Sequence, residues 1–118
     1  MWISAAATGQ NVSSFDKREE GFEQKFAHEE EIKFKAQARR NKLVGLWAAE
    51  KLGLVGAAAE SYAKSVVAAD LEEPGTDSVF RKLRKEFDAK GVVQSDHQIR
   101  RTMDELLAKA VEDIKAGR

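Results

Sequence analysis

The chain has 118 residues, a length that predicts one domain with a single modest core. Its 20 basic residues balance 20 acidic residues, whereas proteins of nucleic acid or anionic membranes usually carry a basic excess. The absence of cysteine excludes disulfides, thiolate metal sites and a cysteine nucleophile. No apolar run reaches the roughly 20 residues of a bilayer span and no signal peptide is recognisable, so we expect a soluble cytoplasmic protein.

The chain begins with a small and polar segment, residues 1–13. Gly9 and Asn11 disfavour regular structure there, and chain ends are commonly poorly ordered. We therefore expect a disordered, flexible tail over residues 1–13 and a single domain over residues 14–118.

The next predicted element is a long helix that Ser13 or Ser14 caps and Gly53 ends. Gly45 in mid-helix costs about 1 kcal/mol relative to alanine, a cost that predicts the close crossing of another helix at this point. The C-terminal part of the long helix is expected to contribute core residues, namely Leu43, Leu46 and Trp47.

The N-terminal part of this helix differs from the rest in its apolar face and in its charge. At 100° per residue its three phenylalanines share one line, and the apolar line that begins at Ile32 lies roughly 80–90° away. Residues 16–31 hold seven acids and three bases, whereas residues 33–42 hold five bases and no acid. The three rings are Phe15, Phe22 and Phe26.

Energetics leaves two interpretations of residues 14–31 open. Burial of each ring contributes roughly 1.5–3 kcal/mol, and ordering some fifteen residues costs more than about 1 kcal/mol each. The segment is therefore predicted either to be held weakly and to dock in a partner's groove, or to form a satellite core with a solvated charged face.

Three shorter helices are predicted to follow. The first covers residues 57–71 and ends before the loop "EEPGTD"; the second begins at a cap of Asp77 and ends at Gly91. The third begins at a capping box of Ser95 and Gln98. No stretch alternates as a half-buried strand does, so the predicted fold is all-α with four helices and a long first helix. These helices are expected to complete the core with Tyr62, Val66, Val67, Phe80, Leu83, Phe87, Ile99, Met103, Leu106 and Leu107.

Three stretches occur in a characteristic order: "FKAQARRNKLVGLWAAE", "YAKSVVAADLEEPG" and "VFRKLRKEF". With them, residues 14–116 resemble the zeta subunit of alphaproteobacterial F-type ATP synthases. The resemblance implies a four-helix regulatory protein that binds the catalytic head of the synthase, at the inner membrane, and inhibits ATP hydrolysis. Its partners would be the α, β and shaft subunits, and the free protein would be a monomer.

The resemblance also implies where the inhibitory segment lies. In this family the N-terminal segment enters the interface between the catalytic α and β subunits, next to the rotating shaft. Family members begin a few residues before the matching "FD" pair, whereas this chain has fourteen residues before it. The partner-binding residues carried over to this sequence are Phe15, Asp16, Lys17, Arg18, Glu19, Glu20, Phe22 and Phe26.

Catalysis and metal binding are not expected. His28 lies in an acidic run without a second histidine one turn away, and His97 stands alone in the last helix. Neither a GxxxxGK[ST] nor a GxGxxG motif occurs. We therefore predict no catalytic residue, no metal ligand and no enzyme activity.

Three basic clusters leave a second function open: residues 39–42, 81–85 and 97–101. They are either solvated helix faces or a nucleotide- or RNA-binding surface, in which an adenine stacks near Trp47 or Tyr62. The neutral charge balance argues against this alternative, and against RNA most directly; the cofactor it predicts is a weakly bound adenine nucleotide. Its candidate residues are Arg39, Arg40, Lys42 and Trp47.

Overall fold

The computed structural model describes residues 2–74 and 77–118, with the side chains of residues 2–20 and of Phe22 outside the description. No strand occurs in the described chain, so the prediction of an all-α protein with four helices is confirmed. None of its described helices is long and apolar enough to cross a membrane. In chain order the helices are α1 (Trp2–Lys51), α2 (Gly56–Glu72), α3 (Ser78–Lys90) and α4 (Asp96–Lys115).

Helix α1 begins earlier than the sequence predicts. It starts at Trp2 and not at a cap of Ser13 or Ser14. Three consecutive alanines, residues 5–7, favour the helix because alanine has the highest helix propensity. The predicted disordered tail falls on residue 1 and on residues whose side chains lie outside the description, so it stays a prediction.

Contacts divide the chain into two units, residues 1–33 and residues 34–118. The first unit consists of the N-terminal part of α1. The second unit contains the rest of α1 with α2, α3 and α4, and we call it the body. The boundary falls where the charge of the sequence changes from acidic to basic.

The core of the body is built from all four helices. Of the predicted core residues, four are buried and five others pack partly buried against them. The core cluster consists of Val44, Ala48, Val66, Val79, Leu83, Phe87 and Ile99, with Trp47, Tyr62, Phe80, Met103 and Leu106 packed against it.

Helix α1 enters the core through smaller side chains than the sequence predicts. Val44 and Ala48 are fully buried, whereas Leu43 and Leu46 are half-buried and outside the core cluster. Val67 of α2 and Leu107 of α4 are half-buried as well, so their predicted place in the core is corrected in the same way.

The close approach of α2 to α1 explains why small side chains are buried there. A Cβ atom added at Gly45 would lie 2.6 Å from Cα and 3.1 Å from Cβ of Ala63. Atoms this close would collide, so only glycine permits the observed separation. The helix crossing predicted at Gly45 is confirmed.

Two glycines end helices as predicted. Gly53 follows α1 with φ of +78°, and Gly91 follows α3 with φ of +70°, both in the left-handed region that favours glycine. Beyond each glycine, a backbone amide donates to a carbonyl five residues earlier, over 2.8 Å from Leu54 to Ala49 and 2.8 Å from Val92 to Phe87. Both ends are Schellman motifs.

The two predicted N-caps have different outcomes. At α4 the amide of Gln98 donates to Oγ of Ser95 over 3.1 Å, and the amide of Ser95 donates to Oε1 of Gln98 over 2.8 Å. The capping box is confirmed. Asp77 occupies the N-cap position of α3, but its side chain makes no cap hydrogen bond. Its carboxylate instead accepts a hydrogen bond from Nη2 of Arg100 over 3.3 Å. The prediction that the Asp77 side chain caps α3 is therefore wrong.

Candidate functional site

The candidate inhibitory segment, residues 14–31, lies within α1. Residues 23–30 are all exposed, and Phe26 exposes 57% of its surface. A satellite core would cover this ring, so the exposure favours the interpretation as a partner-binding segment. The other proposed contacts lie among the residues whose side chains are not described: Phe15, Asp16, Lys17, Arg18, Glu19, Glu20 and Phe22.

The arginines proposed for an adenine nucleotide contact groups of the chain itself. Nη2 of Arg39 donates to the carbonyl oxygen of Arg118 over 2.9 Å. Arg40 donates from Nε and Nη2 to Oδ1 of Asn41 over 3.0 and 2.8 Å. Each guanidinium therefore has its own partner.

The other two nucleotide candidates lie in different environments. Lys42 lines a groove between α1 and α2, whereas the Trp47 ring packs edge-on against Phe87 with ring centroids 5.7 Å apart. The described contacts do not gather the four candidates around one pocket. Adenine-nucleotide binding stays a prediction.

Carboxylates accompany the basic cluster of residues 81–85. Nη2 of Arg81 lies 2.8 Å from the carboxylate of Glu73, and Nζ of Lys82 lies 2.6 Å from that of Glu86. The positive charges of these two residues are thus partly neutralised by one acid of α3 and one acid of the connection between α2 and α3.

Arg84 of that cluster has three partners. It pairs with Asp88 over 2.6 Å and with Asp96 over 2.9 Å, and it donates to the carbonyl oxygen of Gln94 over 2.7 Å. The hydrogen bonds to Asp88 and then to Asp96 raise the pKa of the Arg84 guanidinium. The residue fastens the connection between α3 and α4.

The two arginines of residues 97–101 contact different parts of the protein. Besides its bond to Asp77, the Arg100 guanidinium lies 4.0 Å from the centre of the Phe80 ring. Arg101 pairs with Glu105 one turn later on α4 over 3.0 Å. These contacts fit charged side chains that cover apolar helix faces.

A buried polar network that the sequence analysis missed joins α1 to α2. Asn41 is only 1% exposed, and its Nδ2 donates to Oδ2 of Asp70 over 2.9 Å. Together with the bonds from Arg40, both polar atoms of the Asn41 amide have partners. One signal was present, because asparagine is a poor helix former and stands here in the middle of a long helix.

The hydroxyl of Tyr62 is a second polar group in the interior. It is buried without a hydrogen bond of ordinary geometry, although the carboxylate of Glu86 lies near it. Burial first, and then Glu86, raise the pKa of the Tyr62 hydroxyl above its ordinary value. Nζ of Lys82 lies 5.4 Å from the centre of the ring.

An open groove, which we call the α1/α2 groove, follows the contact line of these two helices within the body. It consists of two depressions of about 230 Å³ each that share Val67. Phe34 and Leu71 line one of them with 66% and 65% of their surfaces exposed. The first depression is lined by Lys42, Glu60, Ala63, Lys64 and Val67. The second is lined by Phe34, Gln37, Ala38, Asn41, Val67, Asp70 and Leu71.

No metal centre is assembled by the described side chains. Within the described ranges, no three histidine or acidic residues are placed to hold an ion.

Comparisons with known proteins identify the family. The sequence model of the family described as ATPase inhibitor subunit zeta matches residues 12–113. A solved structure, determined by solution NMR, shares 41% sequence identity and a TM-score of 0.63 with this chain, and the match covers 74% of this chain and 99% of that chain. A search of curated proteins finds no match. The chain therefore belongs to the ATPase inhibitor zeta-subunit family, whose members are regulatory proteins and not catalysts.

Proposed function

We propose that this protein binds the catalytic head of F-type ATP synthase and inhibits ATP hydrolysis by inserting residues 14–31 between the catalytic α and β subunits, beside the shaft. Membership of an ATPase inhibitor family supports the inhibitory role. The observation that favours this segment is the exposure of all side chains from residue 23 to 30, including 57% of Phe26. The free protein acts as a monomer in this proposal.

Physical chemistry supports insertion of a helical segment with few aromatic anchors. Full burial of one phenylalanine ring contributes roughly 1.5–3 kcal/mol, and the ring of Phe26 retains most of its surface for a partner. Because residues 23–30 already belong to α1, binding needs less backbone ordering than the folding of an unstructured peptide. Their exposed acids, Glu23, Glu29 and Glu30, keep the segment soluble when it is not bound.

The experiment that tests the proposal replaces both Phe22 and Phe26 with alanine. We expect the concentration for half-maximal inhibition of the purified catalytic head to rise at least about tenfold, since about 1.4 kcal/mol of lost contact energy corresponds to a factor of ten. The measurement is the steady-state rate of ATP hydrolysis as the variant is titrated.

A matched control replaces an exposed apolar residue elsewhere. Val93 is 92% exposed in the connection between α3 and α4, and its replacement by alanine is expected to leave the titration unchanged. Circular dichroism establishes that both variants keep their helices. Wild-type inhibition by the double variant would remove the phenylalanines from the mechanism.

A further inference from the structure

The α1/α2 groove is an apolar surface that lies outside the inhibitory segment. On α2 its lining residues recur at intervals of three and four, from Glu60 through Val67 to Leu71, so they form one face of the helix. At 1.5 Å per residue this face is about 16 Å long, or three helical turns. Such a groove has the length that a short stretch of another helix needs.

The apolar part of the groove is unusual for a free surface. Phe34 and Leu71 each expose about two thirds of their surface and line the same depression, with Ala38 and Val67 between the helices. Single exposed apolar residues are common, whereas a joined apolar surface marks an interaction site.

Charge indicates what kind of helix fits the groove. Lys42 on α1 and Lys64 on α2 line its other depression, and neither ammonium group forms an ion pair with any side chain that the structure describes. Lys42 is one of five bases in residues 33–42 of α1, a stretch without an acid. At the opposite end, the carboxylate of Asp70 is already bound by Asn41. Of the lining acids, Glu60 alone stands near the two lysines.

We propose that the α1/α2 groove docks an amphipathic helix of the synthase, with aliphatic side chains at helical spacing toward Phe34 and Leu71, and with carboxylates toward Lys42 and Lys64. This inference rests on the proposed function and adds a second contact to it. The apolar anchors supply affinity, and the lysines select an acidic partner.

In this proposal the α1/α2 groove and residues 14–31 have different roles in inhibition. The groove holds the body on the synthase and so raises the local concentration of residues 14–31 at the catalytic interface. The inserted segment blocks turnover. Loss of the groove contact should therefore raise the concentration needed for inhibition without changing the inhibition reached at saturation.

The test uses two variants of the full chain, Lys42→Glu with Lys64→Glu and Phe34→Ser with Leu71→Ser. We expect at least a tenfold rise in the half-inhibitory concentration for each, with the wild-type level of inhibition at saturation. Added salt should weaken inhibition by the wild type more than inhibition by the lysine variant, because salt screens the attraction between the two lysines and the acidic partner. The control is Lys90→Glu with Lys115→Glu, the same charge change at two exposed lysines outside the groove, and it should titrate as the wild type.

Direct binding to the purified head, measured alongside hydrolysis, separates the two proposals. If the wild type binds without inhibiting, the proposed function fails, and wild-type binding by both groove variants would overturn the groove as well. If the wild type inhibits and both groove variants titrate identically to it, only the groove inference is overturned. Absence of wild-type binding overturns both.

Sedimentation velocity of the free protein covers one further outcome. A wild-type dimer that both groove variants convert to monomers, without a change in their binding to the head, would identify the groove as a self-association surface. That outcome overturns the proposal. Retained circular dichroism spectra and thermal midpoints are required of both variants, and the exposure of Phe34, Lys42, Lys64 and Leu71 predicts that they fold.

Discussion

At the scale of single residues, Tyr62 combines a ring packed against the core with a buried hydroxyl group. Its ring packs against the core, yet its hydroxyl is buried without a hydrogen bond. An unpaired buried hydroxyl costs free energy because it gives up its bonds to water. Burial also raises the pKa of this hydroxyl in the folded protein, and Glu86 adds to the effect.

The raised pKa predicts a loss of stability in alkali. In the unfolded chain Tyr62 ionises near its ordinary pKa of 10.0, whereas in the folded protein it keeps its proton to higher pH. The stabilising contribution is therefore complete below about pH 10 and falls as pH rises above that value. Tyr62→Phe removes the proton and with it this part of the fall.

The measurement is urea unfolding of both proteins at pH 8 and pH 11. We expect Tyr62→Phe to match or exceed the wild type at pH 8, and the advantage of the variant to grow at pH 11. Lysines also titrate in that range, so the comparison between the two proteins carries the result. An equal decline in both would show that Tyr62 does not contribute.

At the scale of elements, the crossing of α1 and α2 depends on one missing side chain. Gly45→Ala places a methyl group 2.6 Å from Cα of Ala63, and a backbone atom cannot rotate away. Overpacking of this kind costs roughly 1–3 kcal/mol, and the better helix propensity of alanine returns about 1 kcal/mol. The difference is a net loss of up to about 2 kcal/mol, measured by urea unfolding.

A second glycine of the same helix provides the matched control. An added Cβ at Gly21 meets nothing within 4 Å. Gly21→Ala should therefore show only the gain in helix propensity, seen as unchanged or increased helicity without loss of stability. Equal effects at both glycines would contradict the steric account of Gly45.

Local sequence signals predicted three element ends correctly, although α1 begins earlier than its predicted cap. Ser95 and Gln98 satisfy each other three residues apart, and Gly53 and Gly91 supply positive φ at the position where each helix ends. Such features depend on neighbours in the chain. Asp77 occupies the N-cap position of α3, but its carboxylate makes no cap hydrogen bond and accepts one from Arg100 of α4, far along the sequence.

The core and the candidate site were predicted less completely, because they too depend on contacts between residues that are far apart in the sequence. Apolar periodicity placed Leu43 and Leu46 in the core, but on either side of the close crossing at Gly45 the smaller Val44 and Ala48 are the buried side chains. The α1/α2 groove was also missed, because residues 34–42 and 60–71 form it only after packing. The inhibitory segment, in contrast, could be proposed from the sequence alone, because the proposal used the resemblance to a family and the local distribution of charge.

At the scale of the whole molecule, the two units should differ in local stability. The body contains a core in which seven side chains are buried together, whereas residues 23–30 expose every side chain. Regions with few buried apolar contacts open with low free energies. We expect backbone amides of residues 21–33 to exchange with solvent much faster than those of residues 40–50.

Hydrogen exchange of the free protein, followed by NMR or mass spectrometry, measures this contrast. Addition of the catalytic head should slow exchange in residues 21–33, because insertion protects them. Strong protection of the segment in the free protein would contradict its availability to a partner.

The solvent-facing stretch of residues 23–30 also makes the protein convenient to observe. Because the chain has no cysteine, a thiol introduced at exposed Gln24 would be unique and would accept a single fluorescent dye. The dye would tumble rapidly on the free protein and slowly once the segment is enclosed by the synthase. Its fluorescence anisotropy would then report binding to the synthase and dissociation from it in real time, independently of ATP turnover.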